Sequence, residues 1–260
     1  MNVIDRLEKG LIVSCQPWND PTTGHRYPDD PLHGPAFMSM MAKHAEMGGA
    51  VGIRADGAKD IQAIKEVTGL PLIGINKIPL TGSKLEHVRY ITPTFSSAKE
   101  VVEAGADIVA IDATFLPRPG ASTVPELIKD IKEKLKVPVM ADVSILEEGV
   151  EAAKTGADLV ATTRAGYTPY SLPTEGADIE LVSALAKEVA VPVICEGRVR
   201  TPEEAVHALK AGAYAVVVGY SITMPRIITG RFTELINKFK SETLNREERL
   251  RKLGKKHYLQ

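Results

Sequence analysis

The chain has 260 residues, 44% hydrophobic, 25% charged and 5% aromatic, with a formal net charge of −1. At about 150 residues per domain this makes one to two domains, and α/β barrels use ~250 residues as one; collagen-like, disordered and low-complexity chains are excluded, and near-neutrality leaves no footprint for nucleic acid or anionic lipid. No apolar run approaches the ~18 residues of a membrane span, MNVIDRLEKG lacks a signal-peptide core, and Cys15 and Cys195 form no disulfide framework, so a reducing cytoplasm is the expected compartment.

The first strand is expected over 11–16, followed by a loop rich in Pro, Asp and Gly over 17–35. From there two kinds of strand start alternate. One opens with Gly-Ala: GAVGIRA at Gly49, GADIVAIDAT at Gly105, GADLVATTR at Gly156 and GAYAVVVGY at Gly212. The other opens with proline: PLIGINK at Pro71, PVMADVS at Pro138 and PVICEGR at Pro192. Each apolar run is short and rich in Val and Ile, which suits strands buried on both faces. Helical patterns lie between them at 97–104, 124–135, 147–154, 179–189 and 202–211, the last with Thr201 as N-cap and Pro202 at the first helical position. Tyr90–Thr94 (YITPT) reads as an extra short strand within the loop after the third barrel strand, because the gap from Lys77 is too short for a crossover helix. Residues 238–260 hold eight Lys or Arg against three Asp or Glu, and read as a charged helical extension. Eight strands alternating with helices predict one domain over 1–260, a single (β/α)8 TIM barrel.

In that fold the chemistry sits at the C-terminal ends of the strands, and those ends are polar here. Lys77 ends strand three and Glu196 ends strand seven, which places them on opposite sides of the barrel mouth, suited to proton transfer at one carbon from either face. Arg54, one strand away, is placed to lower the pKa of Lys77 by like-charge repulsion; the plainer alternative makes Lys77 the structural partner of a carboxylate such as Asp142. Gly197 and Gly219 follow strands seven and eight, where barrels often bind phosphate, with Tyr220 next in line and Arg198 or Arg226 available to add charge. If Gln16 and Glu196 face the mouth, Cys15 and Cys195 point out toward the helices and pack as small hydrophobes. The six histidines show no metal-binding spacing and no nucleotide-binding fingerprint occurs, so neither a metal nor a cofactor is expected.

Taken in order, the segments GLIVSCQ (Gly10–Gln16), GAVGIRA, PLIGINK, ITPT, GADIVAIDAT, MADVSILEEG, TTRAGYT, CEGRV and VVVGYSIT resemble those of the N-acylmannosamine-6-phosphate 2-epimerases, over residues from about 10 to 235. The resemblance implies a cofactor-independent (β/α)8 barrel that interconverts N-acyl-D-mannosamine 6-phosphate and N-acyl-D-glucosamine 6-phosphate, and that tends to form homodimers. It implies Lys77 and Glu196 as the proton-transfer pair, with Gln16, Arg54 and Asp142 lining the sugar site. The chain departs from the family pattern in a loop after Gln16 about ten residues longer, in Met224 where an arginine is usual (with Arg226 two residues on), and in Arg164 where an apolar residue is usual. A Schiff-base lyase using Lys77 and a non-catalytic sugar-phosphate-binding regulator are the competing classes.

Overall fold

A computed structural model describes residues 2–17, 31–78, 90–118, 120 and 122–257, the last fourteen of these by main chain alone. Eight parallel strands close into a barrel in sequence order: β1 (Leu11–Cys15), β2 (Gly52–Asp56), β3 (Leu72–Ile75), β4 (Ile108–Asp112), β5 (Val139–Asp142), β6 (Leu159–Ala161), β7 (Val193–Glu196) and β8 (Ala215–Val218). Pairing of Val13 with Ile53 on one side and with Val218 on the other shows the closure at β1. The helices are α1 (Pro35–Met47), α2 (Ala58–Val67), α3 (Phe95–Glu103), α4 (Val124–Asp130, widening into a π turn over Ile131–Leu135), α5 (Leu146–Lys154), α6 (Ile179–Glu188), α7 (Pro202–Lys210), α8 (Tyr220–Thr223) and α9 (Pro225–His257).

The chain divides into two compact units, Met1–Thr223 and Met224–Gln260. The barrel is the first. The second carries α9, so the charged stretch expected as an extension from 238 is the distal part of one helix that starts at Pro225.

Strand alternation builds the first unit's two cores. Ile12, Ile73, Ile108, Met140, Leu159, Ile194 and Val217 fill the barrel interior, while their sequence neighbours Val13, Leu72, Val109, Val139, Val160, Val193 and Val216 pack against the helices. A 3-10 turn at Asp5–Leu7 adds Leu7 to the interior cluster. A side chain on Gly52 would come within 2.7 Å of Leu7, so glycine is what lets the plug seat there.

The alternating strand starts have a structural cause. Proline opens a strand without an N–H, and the next residue's N–H needs an acceptor. Leu72 donates to Asp107 at 2.9 Å and Val139 donates to Asp158 at 2.9 Å, each aspartate belonging to the following Gly-Ala-Asp start. Each aspartate also pairs with a helix lysine, Lys65 and Lys132 respectively. One device, used twice, joins each proline-opened strand to its Gly-Ala neighbour.

Two expectations change. YITPT is not a strand: among the described residues it forms only an isolated antiparallel bridge between Lys77 and Ile91. The sixth strand stops at Ala161, because Thr162–Arg164 turns into a 3-10 segment. The extra-long loop expected after Gln16 falls largely on residues 18–30, outside the described residues. No helix of the described residues is long and apolar enough to cross a membrane.

Candidate active site

The interior-facing positions turn polar at the C-terminal end of the barrel. Arg54 lies inside β2 and is 1% exposed, with two carboxylates on it. Its Nη2 donates to Asp142 Oδ2 at 2.5 Å and its Nη1 to Asp142 Oδ1 at 3.1 Å, while Nη1 also reaches Glu196 Oε2 at 2.6 Å. Asp142 is the last residue of β5 and Glu196 the last of β7, so one guanidinium spans the barrel. Burial alone would expel that charge; the two carboxylates more than offset it and hold Arg54 firmly protonated.

Lys77 follows β3, and its ammonium donates to Gln16 Oε1 at 2.6 Å. Gln16 in turn donates through Nε2 to Ser14 Oγ at 2.7 Å. The Lys77 main-chain N–H donates to Asp56 Oδ1 at 2.9 Å, which anchors the residue at its backbone as well as its head. The sequence reading placed Arg54 as a like-charged lever on Lys77. The structure instead commits the guanidinium to Asp142 and Glu196, and the Lys77 ammonium donates to Gln16. The physical reason is reach: two carboxylates at the ends of β5 and β7 converge on the long arginine side chain, and a buried cation takes charged partners first.

Glu196 is the group whose proton affinity the site adjusts most usefully. Burial pushes its carboxyl up to about 7; the Arg54 charge works against that, Asp142 adds to it, and the Lys77 charge and the neighbouring Thr163 hydroxyl work against it. A carboxyl poised near neutrality can hold or release a proton at working pH.

The elements expected to hold phosphate have a definite layout. Gly197 and Arg198 after β7 both have left-handed backbone, at φ +110° and +55°. The Arg198 guanidinium donates to the carbonyls of Ala165 and Gly166 at 2.7 and 3.2 Å and to Thr174 Oγ1 at 3.0 Å, and stacks on Tyr167 at 3.9 Å. It therefore clamps the loop after β6. Gly219 lies against Ser14, where an added Cβ would be 3.4 Å from that side chain, so the loop after β8 adjoins the Gln16–Lys77 chain. Tyr220 opens α8. Met224 and Arg226 belong to the second unit.

Sequence reasoning missed several contributors. Ser14 and Asp56 sit two residues from Gln16 and Arg54 on the same strand face, and that period of two was the signal available. Thr163 donates to Asp142 Oδ1 at 2.7 Å. Arg164, noticed as unusual, is fully buried with Nε 3.3 Å from Asp112 Oδ2 and its guanidinium over the Tyr90 ring at 4.7 Å. Asp112 pairs in register with Asp142, so a second buried ion pair adjoins the first. Glu148 accepts the N–H groups of Phe115 and Ser144 and the Tyr170 hydroxyl, tying together the loops after β4, β5 and β6. Both cysteines are buried on the helix-facing side, and burial pushes each thiol up to about 12.

Comparison with known proteins bears on this site. The family described as "Putative N-acetylmannosamine-6-phosphate epimerase" (NanE) matches residues 38–238. The chain belongs to this family. A relative from Caldanaerobacter subterraneus subsp. tengcongensis is 53% identical over 237 residues, covering 91% of this chain and 94% of its own. One from Clostridium perfringens is 46% identical over 234 residues, covering 90% of this chain and 100% of its own. Both carry the same description with "2-epimerase". The solved structure of the N-acetylmannosamine-6-phosphate 2-epimerase from Clostridium perfringens superposes with a TM-score of 0.82 at 45% identity, covering 90% of this chain and 96% of that one. A thiamine phosphate pyrophosphorylase from Pyrococcus furiosus, at 17% identity and TM-score 0.55, shares the fold alone. Within the NanE family, then, this chain presents a closed barrel whose mouth holds a lysine and a neutral-range carboxyl.

Proposed function

We propose that the chain is a cofactor-independent 2-epimerase that interconverts N-acyl-D-mannosamine 6-phosphate and N-acyl-D-glucosamine 6-phosphate, as its relatives' names indicate for them. The observation that carries this reading is the pair at the barrel mouth, the Lys77 ammonium on Gln16 and the Glu196 carboxyl on Arg54, with Glu196 close to neutrality.

Inverting C2 requires breaking a C–H bond next to the C1 aldehyde of the open-chain sugar. The electron pair moves toward C1 and O1 as an enolate, which needs a cation or donor at O1. A proton then returns to C2 from the other face, so the reaction consumes nothing. In this reading Lys77 removes or returns the C2 proton, and Glu196 serves the other face or relays protons to the ring oxygen. Gln16, Arg54 and Asp142 orient the sugar. Backbone N–H groups at Gly197, Arg198, Gly219 and Tyr220 hold the phosphate; the loop clamp made by the Arg198 side chain keeps that edge of the site rigid.

Two further parts of the proposal concern the whole protein. In the second unit Phe232, Leu235, Ile236 and Phe239 are exposed at helical spacing, an apolar stripe suited to burial in a homodimer. A cytoplasmic location fits the two thiols and the sugar-phosphate substrate.

The deciding experiment incubates the protein with N-acetylmannosamine 6-phosphate in D₂O and follows C2 by NMR. The wild type is expected to incorporate solvent deuterium at C2, and Lys77→Ala to lose this by at least about a hundredfold. Near-wild-type exchange in Lys77→Ala removes Lys77 from the chemistry, and borohydride trapping of substrate on Lys77 turns the reading to a lyase.

A further inference from the structure

Two consecutive threonines after β6 both address Glu196. Thr162 holds the main chain: its hydroxyl lies 3.0 Å from the Glu196 carbonyl as donor and 3.1 Å from the Glu196 N–H as acceptor. Thr163 stands beside the carboxylates. Its hydroxyl donates to Asp142 Oδ1 at 2.7 Å and lies 3.5 Å from Arg54 Nη1. That same nitrogen holds Glu196 Oε2 at 2.6 Å and Asp142 Oδ1 at 3.1 Å. Three oxygens thus ring one guanidinium nitrogen. Two belong to carboxyl groups, and the third carries a single rotatable proton.

A threonine has one O–H to give, so it serves one carboxylate at a time. Asp142 keeps its bonds to both Arg54 nitrogens whichever way the hydroxyl turns, whereas Glu196 has one contact with Arg54. An additional donor is therefore worth more to Glu196 once that group is ionised, and little when it is protonated.

We propose that Thr163 is a positioning residue for proton transfer, its hydroxyl turning from Asp142 to Glu196 when Glu196 gives up its proton and turning back when the proton returns. The hydroxyl keeps its own proton throughout; the proton that moves is the one exchanged between Glu196 and the sugar atom it serves. The charged groups facing Glu196 are Arg54 from β2, Lys77 after β3 and Asp142 from β5, with the Asp112–Arg164 pair beside Asp142. None of these can reorient a neutral donor as Thr163 can. The proposal rests on the reading that Glu196 transfers protons.

The test compares Thr163→Val, which keeps the shape and removes the hydroxyl, with Thr163→Ser, which keeps the hydroxyl, and with Glu196→Gln. The Glu196 carboxyl band is identified by its loss in Glu196→Gln and titrated by infrared difference spectroscopy, alongside the pH profile of C2 deuterium exchange with N-acetylmannosamine 6-phosphate. In Thr163→Val the Glu196 titration and the matching kinetic ionisation are expected to move up together by about one to two units, as loss of one hydrogen bond to a charged group implies, and in Thr163→Ser to return to the wild-type position. A wild-type titration in Thr163→Val, or an equal shift in Thr163→Ser, overturns the proposal while leaving the Glu196 reading standing. Wild-type exchange in Glu196→Gln overturns that reading, and the role of Thr163 in proton transfer falls with it.

Discussion

Glu196 shows how one buried carboxyl links activity to stability. Folded, it holds its proton up to about pH 7, against 4.5 for an ordinary glutamate. The folded state therefore binds the proton more tightly than the unfolded one. This contribution to stability is fully present below the ordinary value and is lost as pH rises through about 7. Glu196→Gln cannot ionise and escapes the loss. Its melting temperature is expected to gain on wild type between about pH 5 and pH 8, and a difference constant across that range contradicts the buried-carboxyl account. At this scale position along the chain put Lys77, Glu196, Gln16 and Asp142 at or just past strand ends, and alternation put Gln16 and Glu196 on one face, while the grouping of Gln16, Arg54 and Asp142 came from the family resemblance. Who pairs with whom was not. Arg54 bridging Asp142 and Glu196 depends on the distance across a closed barrel, and no spacing along the chain encodes that distance.

At the scale of elements, the repeated strand starts were readable because each has a local cause. Proline removes one N–H, and an aspartate one strand on supplies the acceptor for the next, as Asp107 does for Leu72 and Asp158 for Val139. Helix starts were readable for the same kind of reason, as at Thr201, whose hydroxyl accepts the Glu204 N–H. YITPT was misread because β-branched residues favour extended backbone, while at this place Thr92 adopts a left-handed φ of +44° and its hydroxyl accepts the Asn76 N–H, bending the segment away from a ladder. Gly74 in β3 marks how closely layers approach: an added Cβ would meet Ala106 Cβ at 2.5 Å, Ile61 Cδ1 at 3.1 Å and Val101 Cβ at 3.2 Å. Gly74→Ala is expected to destabilise by about 1–3 kcal/mol in urea denaturation, since a small, fully buried neighbour cannot swing aside.

For the whole molecule, the exposed stripe on α9 carries the prediction. Phe232 and Phe239 are 68% and 67% exposed and lie on the same helix face as Leu235 and Ile236. If this stripe is buried between two copies, Phe232→Glu with Phe239→Glu is expected to shift the sedimenting species from dimer to monomer while the barrel unit keeps its far-ultraviolet signature; an unchanged dimer places the interface elsewhere. The eight Lys or Arg of residues 238–257 lie on this same helix in the second unit, whereas the barrel mouth belongs to the first. At that mouth Arg54 bridges Asp142 and Glu196, and the Lys77 ammonium donates to Gln16.

The sequence by itself determined the barrel, its strand order and the identity of the polar strand ends, because hydrophobic period, proline, glycine and caps act over a few residues. Tertiary structure alone decided that Arg54 spans β2 to β5 and β7, that Arg164 finds Asp112, that the Arg198 side chain clamps a neighbouring loop, and that Thr163 stands between two carboxyls. Those outcomes are set by closure of the sheet, which brings residues far apart along the chain within hydrogen-bond reach and makes a buried charge choose its partner by distance.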